Sequence, residues 1–283
     1  MRAAAAKTKM TSSSAGNMLR QWRDVRGKSQ LDLSLDAGVS QKHISFVESG
    51  RSTPSRQMLL DLAQALDVPL RERNALLLAG GYAPLYSEGA LDEPTMKSID
   101  KALRRMLRQH EPFPAIVMDR YWNVLLTNDA APRFFNCFID MAARHGRRNL
   151  LHLMFDPAGM RPFIANWPNV AEALLTRVYR ESLGHMVDAK TKGLLAELAQ
   201  YPDVKSEWHA PARANTMPII PLVFSKGSVT LSYFSMVTTI GTPQAIAAEE
   251  LRIECMFPAD ETTEEEHNPF LLENSNNMSS FEY

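Results

Sequence analysis

Long apolar runs are missing from this 283-residue sequence. A membrane span needs about 18 or more consecutive apolar residues. The longest candidates here, Phe113 to Met118 and Met217 to Phe224, are interrupted by proline, so no membrane segment is expected. The opening MRAAAAKTKM holds four alanines where a secretory signal needs a longer apolar core, which makes the cytoplasm the expected location. Cysteine is scarce: Cys137 and Cys255 are the two present, too far apart for a metal clip, and in a reducing compartment they read as buried thiols. Also absent are a nucleophile elbow, a glycine-rich phosphate loop and an HExxH motif, and none of the seven histidines falls at i, i+4 beside another ligand. No catalytic residue, metal site or cofactor is therefore expected. Glu111 beside His110, Asp119 near Asp129, and Asp260 with Glu261 could be paired on paper as acid and base, but nothing else in the sequence supports it. His152 and His185 read as structural histidines.

The composition that remains is that of a folding chain, 45% apolar and 22% charged, and its length suits two domains. The net charge of −1 conceals a division. Residues 1–81 hold twelve Lys+Arg against seven Asp+Glu, and the remainder holds nineteen against twenty-five. A basic first part on a mildly acidic body suits a chain that meets a polyanion with one end, although a solvated helical surface accounts for such an excess too.

Residues 1–15 have no apolar period and read as a disordered arm. Residues 16–81 read as about five short helices: Leu19, Trp22 and Val25; Leu31, Leu33 and Leu35; Ile44 and Val47; then Leu59, Leu62, Ala63 and Leu66; then Leu70 and Leu76 to Leu78. Breaks fall at Gly27, Gly38, Gly50 to Pro54 and Pro69, Ser55 is placed to cap the fourth helix, and Gly80-Gly81 ends the fifth. Residues 82–111 form a linker and a connecting helix whose stripe of Met96, Ile99, Leu103, Met106 and His110 either packs on the next domain or forms a dimer seam. Residues 112–260 begin with a hairpin, Ala115 to Asp119 and Val124 to Asn128, leading to a helix capped by Asn128 or Asp129. A helical middle from Asn149 to Ala199, broken near Asp156, Trp167 and Gly184, separates it from strands at Ile219 to Phe224, Val229 to Thr238 and Leu251 to Phe257. Leu251, Ile253, Cys255 and Phe257 alternate as in a half-buried strand. The expectation is an α+β domain, mostly antiparallel, with helices on one face. Residues 261–283, acidic and free of Lys and Arg, read as a tail, partly disordered past Glu261.

The segment Ser29 to Glu48 fits a helix-turn-helix. Gly38 stands where the chain must turn sharply and positive φ is cheap only for glycine. Val39, Ile44 and Val47 face inward, leaving Gln41, Lys42, Ser45 and Phe46 outward. Such a face suits the major groove, where Gln bonds adenine, Lys bonds guanine and an apolar group meets a thymine methyl. The candidate DNA-contacting set is Gln30, Ser40, Gln41, Lys42, His43, Ser45, Phe46, Arg51 and Ser52. Gln30 and Arg51 are candidates for phosphate, and Arg51 has a second reading as the ion-pair partner of Glu48.

With Gln30, Gly38, Val39, Ser40, Gln41, Glu48, Gly50, Arg51, Pro54 and Ser55 at the expected places, Leu19 to Leu66 resembles the XRE-type, lambda-repressor-like DNA-binding domain. Ser34 departs from that family's frequent alanine without threatening packing. A longer resemblance, to the MmyB-like regulators, is carried by Leu70 to Pro84, Met118-Asp-Arg-Tyr-Trp-Asn-Val124 with Asn128, Asn149-Leu-Leu-His152, and Phe257-Pro-Ala-Asp260. It implies an all-α five-helix DNA-binding domain followed by an α+β, PAS-like domain that binds a ligand.

The expected function is that of a bacterial-type, nucleoid-acting transcription regulator that binds a double-stranded DNA operator as a homodimer and is controlled by a small apolar ligand. The aromatic set Phe134, Phe135, Phe155, Phe163, Trp167 and Tyr179 reads first as core; Phe155, Phe163 and Trp167 are the candidates for the pocket wall. The rival is an enzyme whose DNA-binding or adaptor helical domain localises it, and a third reading is a protein-binding helical adaptor.

Overall fold

The computed structural model describes residues 15–274 except 90, 92, 147, 184–187 and 205–218. Residues 1–14 of the proposed arm, the break at Gly184, His185 and the last nine residues of the tail lie outside the described residues; Ala15, also assigned to that arm, is instead buried at the start of the first helix. The chain divides into two compact units, residues up to 88 with 244–246, and the remainder. Among the described residues no helix is long and apolar enough to cross a membrane.

Among its described residues the first unit is five helices: α1 (Ala15–Val25), α2 (Gln30–Ala37), α3 (Gln41–Glu48), α4 (Arg56–Ala65) and α5 (Leu70–Ala79). Local chemistry sets their ends. Ser29 and Asp32 exchange hydrogen bonds with each other's backbone N–H, a reciprocal cap on α2. Gly38 closes α2 at φ +66°, Ser40 caps α3 through the His43 N–H, and Ser55 caps α4 through the Met58 N–H. Gly16 is where α1 meets α3, since a Cβ there would stand 2.1 Å from the Val47 carbonyl oxygen. Leu19, Trp22, Leu33, Ile44, Val47, Leu59 and Leu62 are buried. Val25, Leu31, Leu35 and Leu78 are exposed. The α1 stripe is Ala15, Leu19, Trp22 and Arg23, at i, i+4, i+7 and i+8. A constant spacing of three, as in Leu19, Trp22 and Val25, drifts off that face by about 60° per step.

The second unit holds a five-stranded antiparallel sheet in the order β2-β1-β5-β4-β3. Its elements are α6 (Lys97–Gln109), β1 (Ala115–Met118), β2 (Val124–Thr127), α7 (Ala130–Asn136), α8 (Leu150–Phe155), α9 (Trp167–Leu183), α10 (Ala189–Leu198), β3 (Leu222–Lys226), β4 (Val229–Thr238), α11 (Ile246–Glu250), β5 (Arg252–Pro258) and α12 (Glu261–Asn274). Asn128 joins β2 to α7: its Oδ1 accepts from Ala115 and Ala131 N–H, and its Nδ2 donates to the Phe113 carbonyl.

Three expectations require correction. β5 is covered on both faces, with Ile253 and Cys255 buried on one and Glu254 and Met256 on the other. Its alternation therefore marks two interiors, because helices flank both sides of the sheet. α6 packs against β1, with Met96, Leu103 and Leu107 buried, and the ring of His110 meets that of Phe257 at 4.8 Å. The other face of the sheet carries the main core, from Ile116 and Met118 to Phe134, Phe155, Trp167, Phe224 and Tyr233. Finally, residues 261–274 of the expected tail are α12, with Thr263, His267, Phe270 and Leu271 buried at helical spacing. The acidic residues occupy its outer side, with Glu261 and Glu264 in the first turn, where the helix dipole favours negative charge. Phe270 and Leu271 each contribute about 1.5 to 3 kcal/mol by burial.

Candidate DNA interface and ligand cavity

Behind the outward face of α3 lies an ion pair. Arg23 donates from Nε and Nη2 to the carboxylate of Glu48, at 2.7 and 3.1 Å, and from Nη1 to the Lys28 carbonyl. Glu48 then accepts from Nε2 of Gln30 at 2.8 Å. Arg23 thus takes the role that the sequence offered to Arg51, and Gln30 is anchored from behind on the first turn of α2.

On the outward face, Gln41, Lys42 and His43 are exposed, with Ser45 and Phe46 half-buried. Lys42 Nζ and the Arg51 guanidinium stand 5.7 and 6.0 Å from the centroid of the Phe46 ring. Cations at that distance from an aromatic face are attracted to it. Ser52 Oγ lies 3.5 Å from His43 Nε2. The cap residue Ser40, the first turn of α3 and the 51–52 loop therefore form one surface of donors and cations around an aromatic ring. No local pattern announces the Arg23–Glu48–Gln30 arrangement beyond the position of Arg23 one residue past Trp22 on the buried side.

In the second unit a cavity of about 960 Å³ lies between the sheet and α8 and α9. Ile116, Leu222, Tyr233 and Met256 bound it on the sheet side, and Leu151, Met154, Val170 and Leu174 on the helical side. The proposed wall residues are elsewhere. Phe155 and Trp167 are fully buried edge-to-face partners at 4.8 Å, and Phe163 packs on Phe138 at 5.4 Å. α9 has two apolar sides, so its strongest one, Trp167, Ala171, Leu175 and Val178, fills the core. Its half-buried positions, including Ala173 and Leu174, border the cavity.

The turn between β1 and β2 supplies one aromatic wall. Asp119 Oδ1 accepts from the Tyr121 and Asn123 N–H groups, and Asn149 Nδ2 donates to the Tyr121 carbonyl and Asn123 Oδ1. These bonds hold Trp122 at φ +66°, a conformation costing a non-glycine residue about 1 to 2 kcal/mol. Arg177 lies 4.3 Å over the Trp122 ring and donates to Glu181 and Glu254. Its third nitrogen, Nη2, and the Thr176 hydroxyl are buried without hydrogen-bond partners among the described residues. Both residues line the cavity.

His152, read as structural, and the groups that could be paired as acid and base have other duties. His152 is bracketed by the Tyr201 hydroxyl at 2.9 Å and Glu197 at 3.1 Å. Glu111 binds the Ala130 N–H and Arg133, and Asp260 accepts from the Thr263 N–H at the start of α12.

Residues 99–267 match the family model described as the MmyB-like transcription regulator ligand binding domain, and residues 19–73 match that of a helix-turn-helix. No curated protein matches the chain. A solved structure titled "Structure of an RNA-binding Light-Oxygen-Voltage Receptor" is 12% identical, the match covering 98% of this chain and 70% of that one at a TM-score of 0.28.

Proposed function

This chain belongs to the MmyB-like transcription regulators, a DNA-binding helix-turn-helix joined to a ligand-binding domain, and from that premise we propose that it reads a double-stranded operator as a homodimer under the control of a small, largely apolar ligand. The observation that carries the reading is the face of α3, where Gln41 and Lys42 are exposed beside Phe46 and two cations flank its ring. Gln41 and Lys42 serve as base readers, Phe46 as an apolar contact for a thymine methyl, and Gln30, Ser40, His43, Ser45, Arg51 and Ser52 as positioning contacts. One such helix reads a half-site, so a dimer spaces two of them by about one helical turn, roughly 34 Å.

The ligand occupies the cavity beside Trp122. Its walls ask for a mostly apolar body, and the Nη2 of Arg177 and hydroxyl of Thr176, which have no hydrogen-bond partner among the described residues, ask for one hydrogen-bond acceptor on it. The site of action is the nucleoid, in the cytoplasm. Selection of bound sequences from random duplexes by the full chain tests the reading: an enriched inverted repeat with half-sites about one turn apart supports it, and the absence of enrichment overturns it.

A further inference from the structure

The outer face of α6 is a row of cations. Lys97, Lys101, Arg104, Arg105 and Arg108 make five basic residues in a thirteen-residue helix that holds one acid, Asp100. At about 100° per residue all five fall within an arc of roughly 100°, opposite the buried Met96, Leu103 and Leu107. All five are exposed. Arg104 pairs with Asp100 at 2.9 Å; Lys97, Lys101, Arg105 and Arg108 have no acidic partner among the described residues.

Such a row is costly as mere solvation. Lys97 and Lys101, Lys101 and Arg105, and Arg104 and Arg108 are like charges at i, i+4, which destabilise a helix, and Lys97 adds a cation to the first turn, where the dipole disfavours it. The surroundings differ in sign: residues 110–283 hold fourteen Lys+Arg against twenty-one Asp+Glu. A packing helix needs its apolar stripe alone, so the concentration of positive charge on the opposite side calls for an anionic partner.

We propose that this face of α6 is a second nucleic-acid contact, binding the phosphate backbone of duplex that flanks the operator. The inference rests on the regulator reading given above. From Lys97 to Arg108 the helix rises about 16 Å, which spans about five phosphates of one strand at 3.4 Å each. A rigid linear polyanion suits a rigid linear row of cations. An anionic bilayer suits it less, because the apolar stripe that would enter lipid is spent on the sheet. A duplex held by α3 also presents its flanks to the same chain at high effective concentration. Contacts of this kind carry no base information and add affinity and salt dependence.

The experiment uses the full chain and the operator obtained by selection, once trimmed to its ends and once extended on both sides. The parent is compared with K101Q/R105Q/R108Q and with the charge-keeping K101R/R105K/R108K. On the extended duplex, where each protomer of the dimer contributes three of these cations, the neutralised variant is expected to lower the slope of log affinity against log salt by about 5.4, so each doubling of salt costs it about fortyfold less than the parent. The charge-keeping variant retains the parent slope, operator preference is the same in all three, and the trimmed duplex abolishes the difference. An unmoved slope on the extended duplex, or a difference equally large on the trimmed one, overturns the proposal. So does a neutralised variant that loses binding to phosphatidylglycerol–phosphatidylcholine vesicles while its slope on DNA stays put. A parent with no operator preference overturns the regulator reading instead, while a preserved preference with an unmoved slope overturns this inference alone.

Discussion

Glu48 receives two nitrogens of Arg23, the nearer at 2.7 Å, and passes its remaining acceptor capacity to the amide of Gln30 at 2.8 Å. Side-chain exposures of 11% and 4% make this a desolvated pair between α1 and α3. Removing one partner of such a pair strands the other charge, whereas replacing both with apolar groups of similar volume is nearly neutral. Arg23→Met is therefore expected to destabilise the chain by about 3 to 5 kcal/mol, and Arg23→Met with Glu48→Met to regain most of that loss. Denaturant melts of the two variants decide it, and equal losses would refute the stranded charge as the cause.

The outward face of α3 separates base readers from phosphate holders. Gln41→Ala and Lys42→Ala are each expected to weaken operator binding by about 1 to 3 kcal/mol and to change the preferred base at one position. Arg51→Ala should weaken binding to all sequences alike and reduce the salt slope by about 1 for each protomer bound, about 2 for the dimer. Binding measured across single-base operator variants tests this; an unchanged preference in both the Gln41 and Lys42 variants removes α3 from the role of reader.

Much of this arrangement was legible in the sequence, and the gaps have physical causes. Gly38 and Ser55 announce their turn and cap because those backbone jobs suit few residue types, whereas the capping role of Ser40 emerges only in the fold. Arg23 did not announce itself, since pairing across twenty-five residues leaves no local period. α12 was hidden by its glutamates, which dominate composition while Thr263, His267, Phe270 and Leu271 define the buried side. The cavity wall was misread for a related reason. Phe155 and Trp167 are the strongest apolar groups near it, and strong apolar groups bury themselves completely, leaving half-buried residues such as Ala173 and Leu174 at the cavity.

That difference between wall and core is measurable. Ala173→Phe projects bulk into the cavity and is expected to weaken an apolar ligand by tenfold or more, equivalent to about 1.4 kcal/mol, while the protein still melts cooperatively. Phe155→Ala empties the core instead and should cost about 3 to 5 kcal/mol. Its ligand-induced rise in melting temperature, which follows RT ln(1 + [L]/Kd), should persist at temperatures where the variant is folded. The reverse pattern would return the wall to Phe155 and Trp167.

The latch that holds α12 should make the second unit sensitive to acid. His267 is fully buried; its Nε2 faces the Pro112 carbonyl at 2.9 Å and so carries the proton, leaving Nδ1 to accept from the Tyr233 hydroxyl at 2.7 Å. Burial pushes its pKa below the ordinary histidine value; the Pro112 carbonyl opposes that shift, Arg133 adds to it and Glu111 opposes it. A proton on Nδ1 would also replace the acceptor that Tyr233 uses. Because the unfolded chain takes up this proton at higher pH than the folded one, the stabilisation is complete above the unfolded value of about 6.5 and is lost as pH falls from there through the lower folded value. Thermal melts of the full chain between about pH 7.5 and pH 5 should therefore show falling stability, and His267→Gln, which cannot titrate, should be less stable at neutral pH but flatter across that interval. A variant whose melting temperature falls with acid as steeply as the parent's would assign the sensitivity to other groups and leave His267 as a neutral strut.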